Sequence, residues 1–297
     1  MNQIRRTNSV GKGDYSFGVG LLVLSAFAFS SAGVFTKGVE AGALAVVFWR
    51  GVFAILATGA WAALRGRLAQ EFVGMGYAGV TVGVVGAMGQ VAFISAFKLT
   101  SIANVALIYA ATPIVAALLA WLTLGERVGR ATLVCAGITV FGVGVLVQGS
   151  AARSDIRGDV LAGAITLVMA AIMVIYRAWP KTPSGGPSML QSLLVLPFAF
   201  AFGAPLETPL GEIAILAVFG TLFALSAVTL AEGAKRVPPG QTALIGTIET
   251  PLAIVLGVVV LAEAPNAATL AGGSIVLGAV LFSIWWTQRG EGGRQTP

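Results

Sequence analysis

Apolar runs long enough to cross a bilayer recur along this chain, and that recurrence limits its fold more than any other feature. A membrane-spanning helix needs about 20 mainly apolar residues, and in lipid only a helix or a closed barrel satisfies every backbone polar group. Ten such runs are read at 17–36, 43–64, 73–97, 102–124, 130–148, 158–179, 188–203, 212–234, 240–262 and 267–287. Charge is scarce: 10% of the 297 residues are Asp, Glu, Lys or Arg and 57% are hydrophobic, whereas soluble domains carry about 25% charged residues. Lipid is therefore the expected solvent, and the expected fold class is an all-α membrane protein of ten transmembrane helices.

Turn chemistry separates the runs at Arg65-Gly66-Arg67, Gly125-Glu126-Arg127, 180–187 and Pro238-Pro239-Gly240, so successive helices return antiparallel. The first run reads as an uncleaved helix rather than a removed signal peptide. With the N-terminus in the cytoplasm, thirteen of the 18 Lys and Arg residues fall on that side, among them Arg5, Arg6, Arg65, Arg67, Lys235 and Arg236. Four fall on the other side: Lys37, Lys98, Arg153 and Arg157. This bias predicts a multi-pass protein of a bacterial-type inner membrane with both termini cytoplasmic. The net charge of +6 thus reads as topology, and no nucleic-acid partner is expected.

The halves of the chain repeat each other. Lys98 and Glu126 are 28 residues apart, as are Lys235 and Glu263. Between them Ala106-Leu107-Ile108 matches Ala243-Leu244-Ile245, and Thr112-Pro113 matches Thr250-Pro251 with a slip of one. A period of about 137 residues follows, which is the mark of a duplication. The division reads as a cytoplasmic tail at 1–16, a five-helix repeat at 17–148, a periplasmic connection at 149–157, a second five-helix repeat at 158–287 and a cytoplasmic tail at 288–297. Five helices are an odd number, so the second repeat enters the membrane inverted. Inverted repeats recur in transporters, where equivalent halves exchange inward-open and outward-open shapes.

Several chemistries are excluded. The chain has no His, and every Asp (Asp14, Asp155, Asp159) lies in a flank, so neither a His-bearing metal site nor an intramembrane aspartyl dyad can be assembled. The single Cys135 permits no internal disulfide, and no GxxxxGK[ST] segment is present for nucleotide hydrolysis. An enzyme is not expected, and neither a cofactor nor a metal.

The stretch from Pro113 to Glu126 with Arg127, its counterpart from Pro251 to Glu263, and Phe48-Trp49-Arg50 resemble the EamA type of the drug/metabolite transporter superfamily over residues 17–287. Within it the chain is most similar to YddG-like amino-acid exporters. The resemblance implies a ten-helix carrier with a central cavity between the repeats, exporting amino acids or related small metabolites by alternating access. Carriers of drugs, nucleotide sugars or lipid-linked groups remain alternatives, as does a membrane scaffold or assembly protein. The expected partners are a small-molecule substrate and the lipid bilayer, with the chain a monomer or weak homodimer.

Glu249 lies near the middle of its run, where a charge costs roughly 2.5–3.5 kcal/mol on insertion scales. It is a candidate to anchor a substrate ammonium or to carry a proton; a neutral carboxyl bonded between helices is the structural alternative. Arg50, inside the second run, stays charged and either braces helices or meets a substrate carboxylate. Pro113 and Pro251 occupy matching places and are read as paired hinges. An amino-acid cavity needs a few polar groups on an apolar wall. The candidates for it are Tyr109 and Gln90 with Tyr77, Thr81, Met88, Thr112, Met173, Tyr176 and Thr247. The glycines of the third and fifth runs, Gly79, Gly83, Gly86, Gly137, Gly142 and Gly144, are read as helix-packing positions.

Overall fold

The structure is a computed structural model that describes residues 12–99, 105, 108–126, 129–146, 156–261 and 267–290. Among these residues it is helical throughout, with no strand. The helices are α1 (Lys12–Ser30), α2 (Ala32–Lys37), α3 (Ala43–Leu64), a short α4 (Leu68–Val73) and α5 (Gly76–Leu99). Next come α6 (Thr112–Leu124), α7 (Arg130–Leu146), α8 (Ile156–Ala178) and α9 (Gly185–Gly203). A 3-10 turn at Pro205–Glu207 precedes α10 (Leu210–Ala234), α11 (Pro239–Gly246), α12 (Glu249–Leu261) and α13 (Ala267–Gly290).

Seven of the described helices, α1, α3, α5, α8, α9, α10 and α13, are long and apolar enough to cross a membrane. Two more, α6 and α7, are apolar but shorter. The difference from the expected ten has a local cause. The runs at 102–124 and 240–262 are each divided near their prolines, and of the run at 130–148 residues 130–146 are described, as one helix. The run at 17–36 is also divided, at Ser31. Ser30 and Ser31 turn their hydroxyls back onto the Phe27 and Ala28 carbonyls at 2.6 Å each, competing with the helical ladder at the point where it breaks.

The packing has a two-fold pattern. α1 packs on α10 as α5 packs on α8; α3 meets α10 as α9 meets α5. α3 pairs with α9, α6 with α11, and α7 with α13. Exchanging the first five runs for the second five maps each of these contacts onto another or onto itself.

The interior combines many small side chains with a few large ones, Leu22, Leu216, Leu244 and Ile245 among them. Ala28, Ala54, Ala62, Ala116, Ala162, Ala199 and Ser226 are among its most buried residues, while Phe17, Leu56, Val84, Leu122, Phe141 and Trp286 are exposed. Lipid gives no hydrophobic reward for burying a leucine between helices, so close backbone approach decides which residues face inward. A Cβ at Gly83 of α5 would stand 2.6 Å from Leu190 of α9, and one at Gly142 of α7 would stand 2.9 Å from Ile275 of α13. Gly137, by contrast, faces open space.

Two carboxylates tie the halves together at opposite ends. Glu71 of α4 is buried, and its Oε2 accepts the N–H groups of Gly185 and Gly186 at 2.9 Å each, capping the start of α9. Glu212, in the first turn of α10, accepts the N–H groups of Glu40 and Ala41 at 3.0 Å each, just ahead of α3. The second helix of each half thus begins under a carboxylate from the other half. These acids supply acceptors to N–H groups at or just ahead of a helix start and place negative charge beside its positive dipole end.

Hydrogen bonds to a charged group are worth about 1.5–3 kcal/mol, so Glu71→Ala is expected to destabilise the purified protein by about 2–3 kcal/mol. Gly186→Ala should cost at least as much, because its methyl group would be driven into the Glu71 backbone carbonyl. Glu212→Ala, at a half-buried position, should cost about 1 kcal/mol. Denaturant titration in detergent measures all three, and equal effects of Glu71→Ala and Glu212→Ala would refute the ranking.

Candidate functional site

The two divided helices break at equivalent points. Ala110 and Ala111 form a turn before α6, and Thr247 and Ile248 form one between α11 and α12. A shortened bond closes each: Ala111 N–H to the Ile108 carbonyl and Ile248 N–H to the Ile245 carbonyl, both 3.1 Å. The two bonds are separated by the 137-residue period read from the sequence. Proline supplies the cause, since its ring clashes with the carbonyl four residues earlier. For Pro113 that carbonyl belongs to Tyr109, and the Thr112 hydroxyl takes it instead. For Pro251 it belongs to Thr247, whose own hydroxyl donates to the Leu244 carbonyl at 2.6 Å. Both prolines stand in the first turn of the helix that follows, where a missing N–H costs nothing.

Glu249 is the first residue of α12 and so sits at a helix N-terminus inside the bundle. The positive end of the helix dipole favours a carboxylate there. Glu249 is deeply enclosed yet keeps accessible surface. No hydrogen bond or ion pair joins its carboxylate to another described residue. Tyr109, just before the other break, is likewise enclosed and partly accessible, and it lies close enough for the charge of Glu249 to act on its hydroxyl. Tyr109 and Glu249, from different repeats, thus lie within electrostatic reach of each other.

Arg50 of α3 and Gln90 of α5 form a second group. Arg50 Nη2 donates to Gln90 Oε1 at 2.6 Å, and the guanidinium lies over the rings of Phe223, at 4.1 Å, and Phe219, at 5.7 Å, both on α10. No carboxylate pairs with Arg50 among the described residues, and both Arg50 Nε and Gln90 Nε2 are buried with no hydrogen-bond partner. Each ring contributes about 0.5–2 kcal/mol, while burying a charge costs several kcal/mol even after relaxation. The aromatic floor offsets part of that cost only.

The remaining candidates lie elsewhere. Tyr77, Thr81 and Met88 line the exposed face of α5, and the Thr81 hydroxyl is bonded to the Tyr77 carbonyl at 2.8 Å. Met173 is packed in the main apolar core, and Tyr176 in a neighbouring cluster with Val82 and Ile172. Thr112 and Thr247 are buried with their hydroxyls spent on backbone carbonyls. An apolar cleft between α6 and α8, lined by Val115, Val160, Leu167 and Thr166, offers no free polar group, since the Thr166 hydroxyl is bonded to the Ala162 carbonyl at 2.8 Å. Among the described residues no three His, Cys, Asp or Glu side chains converge as a metal site would require.

The sequence reading missed a charged network at one end of the bundle. Glu126, turned at the end of α6 by Gly125 in the left-handed region (φ +69°), pairs with Arg177 at the end of α8 at 2.8 Å. Glu263, its counterpart, lies outside the described residues. Glu232 pairs with Lys235 at 2.5 Å and with Arg236 at 2.8 Å, and it accepts the Ser184 hydroxyl. Arg236 also reaches Asp14 of α1 at 3.1 Å. Burial works against the Arg236 charge, but Glu232 and Asp14 outweigh it and hold the guanidinium above its ordinary pKa. The available signal was Glu232 three and four residues ahead of two cations, a spacing that brings helical side chains together.

The EamA-like transporter family matches the chain over residues 16–148 and 158–285. A crystal structure titled only as that of a protein superposes with a TM-score of 0.77, covering 92% of this chain and 98% of its own at 19% identity. At that identity the likeness establishes a shared fold. No curated protein matches the chain.

Because Glu249 supports no bond to the described residues, Glu249→Gln is expected to leave stability within about 1 kcal/mol of the parent. Arg177→Gln, which leaves the half-buried Glu126 carboxylate unpaired, should lower it by more. Thermal unfolding in detergent compares the two, and a larger loss for Glu249→Gln would mark that carboxylate as a structural brace.

Proposed function

We propose, proceeding from the fact that this chain belongs to the EamA-like transporter family, that it is a secondary carrier exporting amino acids or related small metabolites. On this reading it resembles YddG-like exporters. The chain crosses a bacterial-type inner membrane ten times, counting each divided run as one span, with both termini cytoplasmic. Alternating access proceeds by exchange of the two inverted repeats around a central cavity. No nucleotide is hydrolysed; the substrate gradient or a proton drives the cycle.

The observation that carries this reading is the pair of matched helix breaks, with Tyr109 and Glu249 beside them. Discontinuous helices near the midplane are where secondary carriers place their binding sites, because broken backbone is tolerated only where protein or a cavity covers it. Glu249 is the group on which a substrate ammonium or a coupling proton would rest. Pro113 and Pro251 serve as the hinges of the exchange. α6 and α11 close against each other at one end, with a Cβ at Gly240 standing 3.1 Å from the Ala117 Cβ.

Two experiments test the reading. Labelled amino acids are offered to proteoliposomes with and without an imposed pH gradient; failure of every amino acid would remove the substrate assignment. In the same vesicles Glu249→Gln is expected to change the rate or its pH dependence, and unaltered transport from acidic to neutral pH would deny the residue both roles. The second experiment places Ala117→Cys and Gly240→Cys in a Cys135→Ser background. Their separation is close to the roughly 3.5–4.5 Å of disulfide Cβ atoms. Oxidation is expected to stop transport and reductant to restore it, whereas full transport by the cross-linked protein would rule out opening between α6 and α11.

A further inference from the structure

The cluster of Arg50, Gln90, Phe219 and Phe223 has a chemistry of its own. The unmet polar groups of this cluster are donors: Arg50 Nε and Gln90 Nε2 each carry N–H and neither has an acceptor among the described residues. The amide cannot be reversed to help, because Gln90 Oε1 already accepts from Arg50 Nη2 at 2.6 Å and an NH₂ group there would face another donor. The cation has no carboxylate partner among the described residues. It lies over two aromatic rings rather than in water, and it keeps accessible surface although deeply enclosed. What is missing is an acceptor that carries one negative charge.

We propose that Arg50 and Gln90 form the subsite that recognises the carboxylate of the transported molecule, with Phe219 and Phe223 as its apolar floor. A planar guanidinium presents paired donors that match the two oxygens of a carboxylate, and the Gln90 amide adds a third direction. A single enclosed cation on an aromatic floor suits a monoanion better than a phosphate ester, whose second charge would be left uncompensated. This deepens the carrier reading above and rests on it for the existence of a substrate. It adds that a substrate must retain a free carboxylate, and that Arg50 discriminates acids from their esters and amines. Gly220 makes the geometry possible. A Cβ there would stand 2.6 Å from the Arg50 carbonyl, so glycine lets α10 bring Phe219 and Phe223 against α3.

The test is protection of the detergent-purified full chain against thermal unfolding by compounds that differ at one group. They are leucine, its α-keto acid, its methyl ester, the corresponding decarboxylated amine and the corresponding alkyl phosphate. The acid forms are expected to protect and the ester and amine to fail. Arg50→Gln should lower affinity for the acids by about tenfold or more while leaving acid and ester equal; Arg50→Lys, which keeps the charge without the fork, and Gln90→Leu should give intermediate losses. If Arg50→Gln does not fold, the latter two variants decide the matter by the same acid-to-ester ratio. Protection by the keto acid but not by leucine would uphold the Arg50 subsite and remove the amino-acid assignment. Equal protection by ester or amine, stronger protection by the phosphate, no protection by any acid, or an acid-to-ester ratio unchanged in the variants would overturn the proposal.

Discussion

Hydrocarbon offers no hydrogen bonds, and this constraint organises the molecule. Each broken helix leaves carbonyls and N–H groups that must find partners inside the protein. At the first break the Thr112 hydroxyl takes the Tyr109 carbonyl, and at the second the Thr247 hydroxyl takes that of Leu244. The polar groups of the centre gather where those breaks are covered by the opposite repeat. The starts of α3 and α9 obey the same rule with stronger acceptors, since Glu212 and Glu71 each bind two N–H groups across the repeat boundary. Neither repeat caps the start of its own second helix, so the two are tied as one unit.

The features legible in the sequence were those with a local cause. Long apolar runs read correctly as helices, and the 137-residue period reappears as two matching bonds at the helix breaks. Pro113 and Pro251 marked those breaks because a proline's effect on the carbonyl one turn earlier needs no tertiary information. What the sequence concealed depends on contacts between distant residues. Glu71 looks like one acid in a polar connection, and its burial at the start of α9 follows only from the packing of α4 on that helix. Periodicity leaves open which face of α5 looks inward; glycine at 79, 83 and 86 and Gln90 take that face, whereas Tyr77, Thr81 and Met88 take the other. Side-chain polarity alone ranked both faces as candidates.

The two ends of the bundle differ in how they join the repeats. At one end Glu126 with Arg177, Asp14 with Arg236, and Glu71 with the start of α9 all bridge the halves, and α6 packs on α11. The other end holds the Glu212 cap and a bond from Trp49 Nε1 to the Pro205 carbonyl at 3.0 Å. These ties differ in what separation would cost. Arg236 keeps Glu232 on its own helix if Asp14 leaves, so no charge is stranded. Parting Arg177 from Glu126 strands a carboxylate whose Oε2 already lacks a partner. The first tie is cheap to break, and the second is costly.

The symmetry of the backbone sharpens the asymmetry of the chemistry. Moving back 137 residues from Glu249 reaches Thr112, whose hydroxyl is occupied by the carbonyl beside it. One repeat therefore closes its break upon itself, while the other opens its break with an unpaired acid at a helix N-terminus. The unpaired cation, Arg50, comes from the first repeat and stands on aromatic rings of the second. Two opposite charges within reach of solvent in water would pair or be hydrated; here each is enclosed and neither has a partner of the other sign among the described residues. On the carrier reading proposed above, equivalent folds would supply the exchange of shapes, and the departures from equivalence the polar groups that a solute meets. Packing alone favours apolar residues at both places, because an enclosed ionisable group without a partner destabilises the fold that holds it.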